Sequence, residues 1–277
     1  MGAVPTSAPG DSGDSAEFRD GRALAARCTA ADAHCHVDFA ADPAAFARAA
    51  QAAGCFLAAS TVEPAGFVRL RGLLPAAGFP LVRIGVGLHP RWVDADSRRA
   101  DAQAAQLIAA LPQADFVGEV GLDLSARYAA TEAQQRRVLA QIAVACAARP
   151  GTVLSLHAVR SAGAVLDILE GAGALEACRC VFHWFSGTSD ELCRAREAGC
   201  WFSVGERILA TRRGQAYARQ MPADRLLLET DLPAQPGDTA GFGQLAASLK
   251  RAFDEVARLC GTAQARAAVE QAVCLFA

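Results

Sequence analysis

Residues 115–123 read Asp115-Phe116-Val117-Gly118-Glu119-Val120-Gly121-Leu122-Asp123. Its apolar residues do not alternate with polar ones, which fits a strand covered on both faces. Thr131-Glu132-Ala133-Gln134 follows, a capping-box pattern that opens an amphipathic, alanine-rich segment. A buried strand followed by a helix is the repeating unit of a parallel sheet. Seven more runs repeat the pattern: Ala31–Val37, Gly54–Thr61, Leu81–His89, Thr152–Ala158, Cys180–Trp184, Cys200–Val204 and Arg225–Thr230. Asp42-Pro43 supplies a cap with proline at the first helical position, and Thr188-Ser189-Asp190-Glu191 a second capping box. Gly54 and Gly199 close their helices just before the next strand. The expected class is α/β. The body from residue 29 to 277 has the usual length of one (β/α)8 TIM barrel, and an open doubly wound sheet is the competing arrangement.

Composition narrows the class. The chain has 277 residues, 52% of them hydrophobic, enough for a large core. Lys+Arg is 27 against Asp+Glu 29, a net charge of −2. That excludes a basic coat that would grip nucleic acid indifferently, but not nucleic acid held at a local site. No run is long and apolar enough to span a bilayer, and residues 1–28 lack a basic start followed by an apolar core. Those first 28 residues, rich in Gly, Pro, Ser, Asp and Ala, are expected to form a flexible or disordered tail. Ten cysteines without a Cys-x-x-Cys pair lie mostly in apolar stretches and point to free thiols in a cytoplasmic protein with no membrane partner.

The five histidines carry the functional signal. His34, His36, His89, His157 and His183 all fall at the ends of expected strands, where barrels build their active sites. His34 and His36 are two apart, so they face the same way and can hold one divalent metal. Cys35 between them faces the other side and packs. Glu119 sits in a buried strand, where a carboxylate needs a partner, and its two oxygens can bridge two ions. Asp123 either orients a ligand histidine or pairs with an arginine. His157 and His183 add two metal ligands. Asp231, in Leu228-Glu229-Thr230-Asp231-Leu232-Pro233, can bind metal and take a proton from attacking water, with Glu229 deeper on the same side. Glu119 and Asp231 are therefore the expected catalytic carboxylates. His89, Arg91 and Arg160 are candidates for binding substrate, with Arg207 after strand seven as a further candidate; His89 alternatively orders its loop.

The ordered set His34-Cys35-His36, Gly87-Leu88-His89-Pro90, Gly118-Glu119-Val120-Gly121-Leu122-Asp123, the strand-five His157, His183-Trp184-Phe185-Ser186-Gly187 and Glu229-Thr230-Asp231-Leu232-Pro233 resembles the TatD family of metal-dependent DNases. The stretch Gly199–Gly205 is further similar to the TatD-like nuclease associated with Qat anti-phage systems. The resemblance implies a distorted TIM barrel of the amidohydrolase superfamily that hydrolyses phosphodiesters of DNA, often as a 3′-to-5′ exonuclease, with anti-phage proteins as partners in the defence subgroup. It implies two divalent ions, Mg²⁺, Mn²⁺ or Zn²⁺. His34, His36 and Asp231 would hold one, His157 and His183 the other, with Glu119 between them and His89 and Glu229 as polar support. The chain departs from the family at Arg91, where a histidine is usual, at Leu124, at Ala158-Val159-Arg160 and at the close, Gln271–Ala277. Other metal-dependent amidohydrolase chemistry, on lactones or nucleobases, is one alternative; a barrel serving only as a binding subunit is another. A carbamylated-lysine bridge is set aside, because the only lysine, Lys250, lies beyond strand eight.

Overall fold

A computed structural model of the chain describes residues 16–277. Eight strands form one sheet in sequence order, β1 (Ala30–Cys35), β2 (Cys55–Ala59), β3 (Val82–Val86), β4 (Phe116–Asp123), β5 (Val153–Val159), β6 (Arg179–His183), β7 (Trp201–Val204) and β8 (Leu226–Leu228). Each neighbouring pair is parallel. The sheet curls into a nearly closed barrel ringed by helices, which settles the class as a TIM barrel and excludes the open sheet. All eight expected runs contain a strand. β3 and β8 are shorter than expected, so His89 and Asp231 sit three residues past their strands, in the loops.

The seam between β8 and β1 is held without a regular ladder. Asp231 N–H donates to the His34 carbonyl (3.0 Å) and His36 N–H to the Leu232 carbonyl (2.9 Å). The buried Asp32 carboxyl accepts from Thr230 N–H (3.1 Å) and from the Thr230 hydroxyl (2.6 Å). A side chain thus replaces the missing backbone bonds where the barrel closes.

Two apolar clusters support the barrel. The larger lies between strands and helices and includes Leu57, Ile84, Leu156, Phe182 and Phe202. The smaller plugs the N-terminal end, where Ala31, Phe56, Phe116, Val181 and Leu227 meet Val273 and Phe276 of the C-terminal helix Thr262–Phe276. Each buried phenylalanine contributes roughly 1.5–3 kcal/mol relative to exposure.

Local signals fare unevenly. Asp42 caps its helix by accepting from Ala45 N–H, and Thr188 with Glu191 forms the full capping box. The box expected at Thr131 does not form. A 3-10 turn, Ala126–Thr131, runs straight into the helix Glu132–Ala147; Thr131 donates to the Tyr128 carbonyl and Gln134 to that of Ala95. The flexible tail expected over residues 1–28 does not include residues 16–28. Residues 1–15 lie outside the described residues, but Ala16–Ala25 is helical, and Leu24, Ala25 and Cys28 pack on the smaller cluster. Gly21 lets that helix come close: a Cβ there would lie 3.1 Å from the Cys274 Cα. Among the described residues no helix is long and apolar enough to cross a membrane.

Replacing Asp32 by alanine strands the buried Thr230 donors at the seam. The expected outcome is a loss of at least about 2 kcal/mol in urea unfolding; a midpoint unchanged from the native chain would show that the carboxyl does not close the barrel.

Candidate metal centre

The strand ends bring every expected ligand to one place. Glu119 lies mid-β4 and is 1% exposed. Its Oε2 is 3.4 Å from His34 Nε2 and 3.4 Å from His36 Nε2. Its Oε1 is 2.6 Å from His157 Nδ1, 2.8 Å from His183 Nε2 and 3.3 Å from His89 Nε2. Asp231 Oδ1 completes the first group, 3.3 Å from His36 Nε2 and 3.8 Å from His34 Nε2. So both nitrogens of the His34/His36 pair converge on one carboxylate oxygen, although the β1 register shifts between Asp32 and Cys35. Cys35 is buried in the larger cluster, on the packing side.

Several residues that orient this group were not singled out from sequence. Ser155 Oγ lies 2.8 Å and Ser60 Oγ 3.3 Å from His34 Nδ1. Ser203 donates to Glu229 Oε2 (2.6 Å), which lies 3.5 Å from His183 Nδ1. The available signal was a polar residue interrupting a buried apolar run: Leu154-Ser155-Leu156 and Phe202-Ser203-Val204. Asp123 does both things considered for it. Its Oδ2 accepts from Arg91 Nε (2.8 Å) and faces His157 Nε2 at 3.5 Å.

Charge balance defines what the cluster can hold. Burial favours the neutral form of Glu119, yet the imidazoles of His89, His183, His157 and His34 outweigh it and hold the carboxyl well below the usual range. Burial likewise opposes protonation of His36, but Asp231 and Glu119 raise it to about 10. His34 goes the other way: burial and the neighbouring His183, stacked on it at 3.9 Å, keep it neutral. Burial also takes His89 down to about 4. The cluster thus retains positive charge on some imidazoles and a free lone pair on others, which is what a divalent cation exchanges for protons.

The donor set suits such an ion. His34 Nδ1 is engaged by serine, while its fully buried Nε2 has no hydrogen-bond partner and faces two carboxylates. Four donors about 2.1 Å from a tetrahedral ion lie about 3.4 Å apart, close to the 3.3–3.8 Å that separate His34 and His36 from Glu119 and Asp231. Three-residue groups of suitably close donors are His34/His36/Glu119, His89/Glu119/His157 and His34/His183/Glu229. Buried histidine and glutamate clusters here are consistent with a divalent metal site.

Above the cluster opens a cleft of about 430 Å³. Its walls include Phe39, Arg91, Trp92, Trp184 and Arg207. The Arg91 guanidinium lies over the Tyr128 ring (5.3 Å) and that of Arg207 over Trp184 (5.6 Å). Arg160 is exposed on the turn after β5, with φ +55°, and is not among the lining residues. Arg160 thus follows Ala158 and Val159, which do line the cleft, and stands just beyond it. A hollow of similar size at the opposite barrel end, beside Phe116, Arg149 and Arg179, contains none of the histidines.

A parallel eight-stranded barrel with a buried histidine–carboxylate cluster at the C-terminal strand ends defines a class, the TIM barrels whose site is built at that face, here around a cluster consistent with a divalent metal. Residues 31–273 match the family model TatD related DNase, and the chain belongs to that family. It is similar to the mouse TATDN3 protein, with 32% identity over 219 residues, 73% of this chain and 72% of that relative. It is 33% identical over 154 residues to a Musicola paradisiaca protein named 3'-5' ssDNA/RNA exonuclease TatD; the match covers 53% of this chain and only about half, 55%, of that relative. Among solved structures it is similar to YJJV, a TatD homolog from Escherichia coli, with a TM-score of 0.73, 25% identity, and coverage of 90% of this chain and 98% of that one.

Calorimetric titration of the metal-free protein with Mn²⁺ or Zn²⁺ tests the cluster. Ser155→Ala frees the His34 ring and is expected to weaken binding about 10–100-fold, whereas Glu119→Ala removes the shared carboxylate and most of the heat. Native-like titrations from both variants would take the ion away from these residues.

Proposed function

We propose that the chain is a divalent-metal-dependent nuclease that hydrolyses phosphodiester bonds of single-stranded DNA from the 3′ end. The observation that carries this reading is the Glu119 carboxylate, fully enclosed, with one oxygen facing His34 and His36 and the other facing His157 and His183. In the proposed assignment His34, His36 and Asp231 hold one ion, His157 and His183 a second, and Glu119 serves both. Mg²⁺, Mn²⁺ and Zn²⁺ all accept such a mixture of imidazole and carboxylate. When bound, the ions orient the scissile phosphate and make an attacking water more acidic.

The chain's own groups supply the rest. The Asp231 side chain is 25% exposed while that of Glu119 is 2% exposed, so Asp231 is the ligand carboxylate that reaches the cleft and takes the proton from water. Water adds to phosphorus, the bond from phosphorus to the 3′ oxygen breaks, and that oxygen takes up a proton from solvent to leave as the 3′-hydroxyl of the shortened strand. His89 accepts from Arg91 N–H at Nδ1 (3.0 Å), which leaves its ring proton on Nε2, 3.3 Å from Glu119 Oε1, so His89 supports that carboxylate at the cleft floor. Arg91 is tethered through Nε to Asp123 and keeps its terminal N–H groups for phosphate. We assign the second cationic wall to Arg207, which lines the cleft, in place of Arg160.

The bacterial relative's name supports the 3′-to-5′ polarity and adds single-stranded RNA as a substrate. An anti-phage role rests on the Gly199–Gly205 resemblance alone, and plaque counts in cells with and without the chain test it.

The decisive assay is digestion of 5′-labelled single-stranded DNA with Mg²⁺, Mn²⁺ or chelator. The expected result is a ladder of shortening labelled products that chelator abolishes and that Asp231→Asn slows by roughly 10²–10⁴. Cleavage that persists in chelator, or equal rates in the variant, would overturn the reading. A label released first as a mononucleotide would reverse the polarity.

A further inference from the structure

Among the described residues four large hydrophobic side chains are exposed: Val68, Leu73, Trp92 and Val144. Val68, Leu73 and Val144 lie on helices of the outer ring. Trp92, 39% exposed, is the one that lines the cleft above the metal cluster. It ends the short turn Pro90–Trp92 that begins at His89, and its backbone N–H donates to the His89 carbonyl (2.8 Å).

The ring is supported from below. Phe39 lies 6.4 Å from it and stacks in turn on His36 at 4.9 Å, 20° from parallel. His89 meets Trp92 edge-on at 5.2 Å. An aromatic series therefore climbs from a ligand histidine to the cleft rim. Arg91 stands next to it in sequence and Arg207 also lines the cleft. An exposed flat apolar face beside a cationic, metal-fit floor matches a ligand that has an anionic group and a flat ring together.

We propose that Trp92, backed by Phe39, is a stacking platform for the base of the 3′-terminal nucleotide, and that it makes an unpaired end a requirement. This inference rests on the nuclease reading above. The terminal base of a duplex keeps one free face, but pairing and stacking hold it in the helix, so bringing it into the cleft over Trp92 requires breaking that pair, at a cost in free energy that an unpaired end does not incur. Stacking accepts any base, because every base presents a π-face. The platform therefore selects for single strands without selecting for sequence.

The test separates the platform from the chemistry. Binding is measured by anisotropy of a short 5′-fluorescein oligothymidylate in chelator, where the proposed hydrolysis is silent. A second probe carries an abasic 3′-terminal sugar, and a third carries the abasic sugar at the penultimate position. Trp92→Ala is expected to weaken binding of the intact probe about 5- to 150-fold, to leave the terminal abasic probe within twofold of the native chain, and to keep its penalty on the penultimate one. Trp92→Phe restores most of the affinity. With Mn²⁺ present, the alanine variant raises KM for single strands more than it lowers kcat, and narrows the preference for single over double strands.

Equal binding by Trp92→Ala and native chain overturns the proposal. So does an equal penalty on the terminal abasic probe, or no binding of the intact probe by the native chain. Failure of the native chain to cut any oligonucleotide with any of the three ions, while the binding pattern holds, overturns the nuclease reading and leaves the platform standing.

Discussion

A carboxylate buried at the centre of a barrel is the constraint to which the surrounding strands answer. An isolated ion there costs several kcal/mol or more, and Glu119 is not isolated: imidazoles from β1, β5 and β6, and from the turns after β1 and β3, face its two oxygens. That convergence demands unusually close strands around β4. A Cβ at Gly87 would fall 2.5 Å from the Glu119 nitrogen, and one at Gly121 would fall 2.0 Å from the His157 carbonyl oxygen. Glycine at these two positions lets β3 and β5 approach the carboxylate from either side. The metal-fit geometry is therefore written into the backbone spacing as much as into the ligands.

The strand exits store strain next to the ligands. Trp184 and Asp231 have φ of +48° and +58°, in the left-handed region that non-glycine residues rarely adopt. Each such residue costs about 1–3 kcal/mol, which the surroundings must offset. At Asp231 the offset is visible. Its N–H is held by His34, and its neighbour Thr230 is bonded to Asp32 on one side and accepts from Leu232 N–H on the other. The seam that closes the barrel and the lock that aims Asp231 at the cluster are thus one set of bonds. A barrel that failed to close would also lose its most accessible carboxylate.

The sequence made some of this legible and hid the rest for physical reasons. The eight buried runs were visible because each strand's pattern is local. The convergence of the six candidate ligands was legible because five scarce histidines fell at expected strand ends, and the order of motifs resembled a known family. Ser60, Ser155 and Ser203 were not, because a serine becomes an orienting group only through a partner 26 or more residues away. The helix Ala16–Ala25 was missed since its stability comes from packing on the C-terminal helix, and not from its own composition. Thr131 failed as a cap because a preceding turn already supplied the entry to the helix. Arg160 shows the limit of reading proximity from sequence: it follows His157 closely, but the left-handed turn after β5 places it exposed, just past the cleft-lining Ala158 and Val159.

The substitution at Arg91 shows how a site can change its rim while keeping its floor. Where the resembling family usually has histidine, this chain places a permanent cation. Asp123 compensates it: buried, it binds Arg91 Nε and is held below the usual carboxylate range by His157, Ser125 and Arg91 against the pull of burial. The ion pair adds no net charge to the interior, so the His157 ring and Glu119 behind it keep their partners. What changes is the entrance, which gains guanidinium hydrogens and, through the same turn, an exposed indole. With a net charge of −2 the chain has no general attraction for nucleic acid. Recognition in the proposed reading must therefore be local, with charge at one phosphate and stacking at one base, which favours an enzyme working on an end over one gripping a long stretch of strand.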